Sequence, residues 1–460
     1  MKTRTEEDAL GPVLVPEDAY YGAQTQRAVD NFPVSGLRFP RSFLRALGLI
    51  KKCAAMANAD LGLIDREVAD AIIEAAEEVA EGKLDHQFVI DVFQTGSGTS
   101  TNMNSNEVIA GRANEILTGR RGGKKPVHPN DHVNLGQSSN DVIPSAIHVA
   151  ALIEIRELLL PSLGLLQQSL EDKSRDFSDV IKIGRTHLQD AVPVSLGQEF
   201  GGYARQVQLG CERIRRVEEA LSELALGGTA VGTGLNTHAD FAAKTIALLN
   251  RETGCTFREA KNHFEAQAAQ DAAVEAGGAL KTLAVSLMKV ANDLRLLASG
   301  PRCGLGEINL PSLQPGSSIM PGKVNPVIPE VVIQAAVQVI GNDVTLAIGG
   351  QGGTFELNTM LPLIAYNLLQ SIGILGSSVR MLAEKCVQGI TPNREKCASN
   401  IEQSLALSTY LVPVIGYDRA SEVAKEAHAT GRTIRELVVL KGIMSEEQFE
   451  DLLHGIRVER

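Results

Sequence analysis

Apolar residues recur at alternating steps of three and four through the middle of the chain, at Leu280, Leu283, Leu287, Val290, Leu294 and Leu297. That is the period of one face of an α-helix. Similar spacing links Val207, Cys211, Ile214, Leu221 and Leu224, and runs from Val332 through Ala335 and Val339 toward Ile348. Ile147 to Leu170 is helical in pattern, with a kink expected at Pro161. These stripes are read as core, and helices this long bury their faces most readily against one another. The expectation is a mainly α fold: an N-terminal domain over residues 1–137, a long central helical bundle over 138–360, and a small C-terminal helical domain over 361–460. Strand-like pieces are short, as at Pro12 to Val15, and no internal repeat is present.

Composition adjusts this picture. Aromatics are 4% of 460 residues and Trp is absent, so the core must be filled by Ala, Leu, Ile and Val. The net charge of −11, without any long Lys/Arg block, argues against nucleic acid or an anionic membrane as the main partner. The six cysteines form no C-x-x-C pair, so neither a zinc site nor a disulfide framework is indicated and a reducing, cytoplasmic setting is expected. The start, "MKTRTEEDALG", has acids where a transit peptide avoids them, and no uninterrupted run approaches the length that spans a bilayer.

Between the apolar stripes lie five polar, glycine-rich segments: "QTGSGTSTNMN", "HPNDHVNLGQSSND", "GRTHLQD", "GGTAVGTGLN" and "PGSSIMPGKVNP". Five such segments at helix ends could converge on one anion. The last, residues 315–326, has three prolines and cannot be a regular helix or strand interior. It is not a nucleotide P-loop, because five residues separate Gly316 from Gly322-Lys323 where four are needed, and Val324 replaces the Ser or Thr. Backbone N–H groups and a nearby lysine would stabilise the alkoxide of Ser317, which could then remove a proton. Lys323 and Asn325 could hold the carboxylate whose charge grows as that proton leaves. Such a loop is also compatible with a plain solvated turn.

Ser97, Thr99, Ser138, Ser139 and Asn140 supply neutral donors for carboxylates, although each taken singly is equally a helix cap. His187, beside Thr186 in a polar turn, can relay protons to a hydroxyl or water, while a lone histidine is more often structural. A carboxylate would fix its orientation, and Glu330 lies near the proposed base loop in sequence. No spacing suggests a metal site, and no cofactor is called for.

The segment "GSSIMPGKVNP" resembles the signature of the fumarase/aspartase superfamily. "TGSGTSTNMNSNEV", "VHPNDHVN", "GQSSND", "GRTHLQDAVPVSLGQEF", "ALGGTAVGTGLN" and "SGPRCGLGEINLP" follow in the order that class II fumarases show. The resemblance implies metal-independent interconversion of fumarate and L-malate by a homotetramer whose active sites draw loops from three subunits. It implies Ser317 as base, and Ser318, Lys323 and Asn325 as binders of the carboxylates and the aci-carboxylate intermediate. His187 oriented by Glu330 would handle the water. Ser97, Thr99, Ser138, Ser139, Asn140 and Thr186 would complete the substrate contacts, and Lys125 with His128, Pro129, Asn130 and Asp131 would form a second anion site.

Two alternatives share the motif. Aspartase uses the same serine loop to release ammonia from aspartate; "AYYGAQTQRA" and "NPVIPEVV" lean that way, whereas Ser138-Ser139, "TGSGT" and Gly322 favour fumarase. A lens-type structural member could dispense with the chemistry, but Ser317, His187, Lys323, Asn325 and Glu330 are all retained.

Overall fold

The computed structural model describes residues 2–454. Among these are seventeen α-helices and five small two-stranded sheets, a mainly α fold. Four helices are long: Leu196–Leu221, Asp271–Leu297, Val327–Gly350 and Leu361–Lys385. Every member of the stripe from Leu280 to Leu297 is buried, as the three-and-four spacing demands.

The chain forms two compact units. One comprises the described residues up to Pro161, with Gly210–Ala284 and Ala335–Ser377; the other comprises Ser162–Leu209, Val285–Gln334 and the described residues from Ser378 onward. In the first unit an apolar cluster collects Val15, Ile72, Val79, Val108, Ile109 and Val127. Small residues let its helices approach closely. A Cβ on Gly48, in the helix Arg41–Asp60, would lie 2.6 Å from the backbone nitrogen of Ala80, at the end of the helix Arg66–Ala80. In the second unit Leu407, Leu411, Ile434, Leu437, Val438 and Phe449 form a separate core.

Several expectations need correction. Val332 and Val339 are buried, but Ile348 is 61% exposed, and Val331, Val337 and Val344 share its exposure. Hydropathy marks these positions as apolar without saying what covers them. Leu224 lies beyond its helix, in a two-residue strand. The break expected at Pro161 lies upstream, as a π-helical turn over Ile155–Leu159. Pro161 itself is second in the helix Leu160–Asp176, which continues from that π-helical turn without a break, so the missing N–H falls where the helical ladder is already rearranged.

Ile181–Thr186 and Gln189–Ser195 form an antiparallel hairpin that was expected only as a polar turn. Finally, Val327–Gly350 and Leu361–Gly389 are long and apolar enough to cross a membrane, with mean hydropathies of 1.6 and 1.2. Asn342 and Asp343 interrupt the first without lowering its average below that of a span, which is why no continuous run revealed it.

Candidate active site

In the first unit, the helices Thr99–Thr118 and Ser139–Glu154 begin beside each other. Gly98 sits before the first of them in a left-handed conformation with φ of 70°. Ser97 Oγ lies 2.7 Å from Thr99 Oγ1, which in turn lies 2.7 Å from Ser139 Oγ. Two helix N-termini and a chain of hydroxyls therefore share one patch, a setting that favours an anion. Asn140 Nδ2 donates to Ala230 O at 2.8 Å, tying the turn of residues 227–236 to the same patch. Ser138 acts as a helix cap: its Oγ accepts the Asn140 N–H at 3.2 Å, while its own N–H donates to Asp141 at 2.9 Å. The capping role foreseen for Ser138 is thus present, and capping leaves a hydroxyl its second acceptor site and its own donor.

In the second unit, the loop of residues 315–326 closes on itself. Gly316 N–H donates to Lys323 O at 2.6 Å, and Asn325 Nδ2 donates to Gly316 O at 2.8 Å. A Cβ on Gly316 would meet Lys323 O at 2.8 Å and Asn325 N at 2.9 Å, so the closure requires glycine. Within the ring, Ser317 Oγ accepts the N–H groups of Ile319 at 3.2 Å and Met320 at 3.0 Å. Ser318 and Lys323 are exposed. A depression of about 430 Å³ is lined by Ser317, Met320, Gly322 and Lys323 together with Ser312 to Pro315.

Thr186 and His187 stand at the tip of the hairpin. His187 and Leu188 have φ of 56° and 59°, the paired left-handed residues of a tight turn whose twist matches its strands. Both are exposed, Leu188 by 73%. Glu330 is in the first turn of the helix Val327–Gly350. Among the described residues of one chain, no hydrogen bond or ion pair joins His187 to Glu330.

The residues expected to form a second anion site are ordered in part around one histidine. His128 Nδ1 accepts the N–H groups of Asn130 and Asp131, each at 3.1 Å, and caps a π-helical turn over Pro129–Val133. Pro129 is buried, whereas Lys125, Asn130 and Asp131 are exposed.

Sequence reasoning missed the buried charges behind these loops. Below the hairpin, Glu307 is fully buried and takes a bidentate bond from Arg185 at 2.9 and 2.8 Å. Lys182 lies 3.3 Å from the same carboxylate, and Asn400 donates to it at 3.1 Å. Burial alone would raise the Glu307 carboxyl, but Arg185 and Lys182 outweigh it and hold it below the ordinary carboxylate range. Below the hydroxyl cluster, burial pushes the Lys51 ammonium down to about 7, opposed weakly by Asp141, whose own carboxyl is raised by burial. The Ser-Ser-Asn-Asp string already carries an N3 acid of the capping-box kind; Lys51 leaves no comparable trace.

Comparison with known proteins gives the family. The sequence model of a family described as lyase matches residues 11–341, and that of the fumarase C C-terminus matches residues 407–456. A protein of Halobacterium salinarum called fumarate hydratase class II is 59% identical over 450 residues, covering 98% of this chain and 96% of that protein. The chain belongs to the class II fumarate hydratase family. A relative of the same description from Nitrosomonas europaea is 54% identical, with 97% of each chain covered. Among solved structures, the class II fumarase of Schistosoma mansoni superposes with a TM-score of 0.93 at 42% identity, with 98% of each chain covered. The family's fold is therefore this chain's fold, fumarase/aspartase-like in class.

Proposed function

We propose that this chain carries out the family's reaction, the reversible hydration of fumarate to L-malate, with the residues singled out above. The ring around Ser317 carries the reading. Two N–H donors already aimed at its Oγ, and the Lys323 ammonium in the same loop, favour the alkoxide over the hydroxyl. In the dehydrating direction Ser317 takes the proton from the carbon beside one carboxylate. The second negative charge spreads into that carboxylate as an aci-carboxylate, held by Ser318, Lys323 and Asn325. Donors placed on developing charge are worth about 3 kcal/mol each. The hydroxyl leaves the neighbouring carbon as water, its proton supplied through His187.

The Ser97, Thr99, Ser139 patch receives a substrate carboxylate, with Ser138, Asn140 and Thr186 completing the contacts, and the His128–Asp131 turn with Lys125 binds a second anion. The site is assembled in a homotetramer. His187 projects at an exposed hairpin tip, away from any bond to Glu330 in its own chain, and Glu330 of another subunit supplies its partner. The exposed line Val337, Val344 and Ile348 is the apolar surface that such an assembly covers.

Supplying purified protein separately with L-malate and L-aspartate, and following ultraviolet absorbance of the conjugated double bond, tests the reaction. Absorbance rises with L-malate. A rise with L-aspartate alone would replace this reading with aspartase, and a flat trace with both would leave no lyase activity to explain.

A further inference from the structure

Lys51 is fully buried in the helix Arg41–Asp60, and its Nζ donates to Asn134 Oδ1 and Gln137 Oε1, both at 2.9 Å. Asn134 Oδ1 also receives Nδ2 of Asn102 and Nδ2 of Asn106, each at 3.1 Å, from the helix that Thr99 begins. One ammonium thus fixes residues 134–137, which lead directly into Ser138, against the helix that carries Thr99.

Asp141, also fully buried, completes the arrangement from the other side. Its carboxylate accepts N–H groups from Ser138 at 2.9 Å, Gly227 at 3.0 Å and Thr229 at 3.0 Å. Thr229 is held in a left-handed conformation with φ of 54°, one that a threonine adopts only when its surroundings impose it. Asp141 therefore pins the turn at residue 227 to the start of the helix bearing Ser139.

Neither charge bonds to Ser97, Thr99 or Ser139, yet every hydrogen bond of both ends on a segment adjoining them. Stability alone does not account for this, because apolar side chains in place of buried charged groups commonly serve it as well or better. What two buried polar groups add is a single permitted geometry for the partners that satisfy them, because leaving either unbonded would be costly.

We propose that Lys51 and Asp141 are positioning residues whose hydrogen bonds set the spacing of the Ser97, Thr99 and Ser139 hydroxyls for a substrate carboxylate. This rests on the reading of that hydroxyl cluster as a carboxylate subsite. Lys51→Met, Asp141→Asn and the double variant test it, with fumarate kinetics and inhibition by succinate, a four-carbon dicarboxylate that cannot be hydrated.

Each single variant is expected to raise the succinate Ki and the fumarate KM about tenfold or more while kcat changes far less, the sign of lost uniform binding. The double variant is expected to be no worse than the worse single, since both residues serve one geometry. Gln137→Leu removes one acceptor and keeps the charge, and a smaller rise in Ki is expected, which preserves the test if Lys51→Met does not fold.

Folded variants with unchanged succinate Ki, or losses that multiply in the double variant, would overturn the proposal while wild-type turnover left the assigned reaction standing. A wild type that neither hydrates fumarate nor binds succinate would instead overturn the subsite reading itself.

Discussion

Thr99 and Ser139, forty positions apart, share a hydrogen bond of 2.7 Å that ties the first turns of two helices together hydroxyl to hydroxyl. Thr99→Val keeps the shape and removes the hydroxyl. Since a hydrogen bond to a charged group contributes about 1.5–3 kcal/mol, KM for fumarate should rise about tenfold to a hundredfold with kcat little changed. Steady-state kinetics check this, and an equal fall in kcat with KM constant would place Thr99 elsewhere in the reaction.

Gly316→Ala is expected to damage activity without damaging the fold. The new Cβ would lie under 3 Å from two backbone atoms of the same loop, Lys323 O and Asn325 N, so the ring must open. Displacing Ser317 by about an ångström should lower kcat/KM about 100-fold. Melting temperature should barely move, because the loop is largely exposed. Measuring both on one preparation separates the two effects.

Val344→Glu places a carboxylate on the exposed apolar line of the helix Val327–Gly350, where Val344 is 57% exposed within its own chain. If other subunits cover that line, an unpaired charge buried there costs several kcal/mol, and the tetramer dissociates with loss of activity. Gel filtration reads the result. A tetramer with full activity would show that this face is not an interface.

Lys51 gives a pH dependence of stability with a definite sign. Its folded value is pushed down to about 7 from 10.5, so between these limits the unfolded chain holds a proton that the folded chain has released. Stability contributed through Lys51 therefore rises with pH across that window, by at most about 1.4 kcal/mol per pH unit. Urea unfolding of wild type and Lys51→Met at pH 7 and pH 9.5 isolates the effect. The wild type should gain on the variant at the higher pH, and a constant difference would mean that the amine titrates alike in both states.

Much of this was legible in the sequence for physical reasons. The Leu280 to Leu297 stripe is buried because a helix with that period has only one way to hide it. The loop at Gly316 announced itself through glycines and prolines that no regular element tolerates. Ile348 misled because apolarity is a property of the residue, whereas burial within one chain or between chains is a property of the assembly. The hairpin tip misled because His187 and Leu188 take left-handed conformations without the glycine or asparagine that usually marks such a turn. Lys51, Asp141 and Glu307 stayed hidden because their partners lie up to 122 positions away in sequence, and a single charged residue carries no sign of being buried.

The role of Ser317 is the centre of the account, and the rate of fumarate release from L-malate by wild type and Ser317→Ala tests it most directly. With the oligomer and melting temperature unchanged, removing the base should lower the rate by about 100-fold or more. A Ser317→Ala protein that dehydrates L-malate at near the wild-type rate would contradict it.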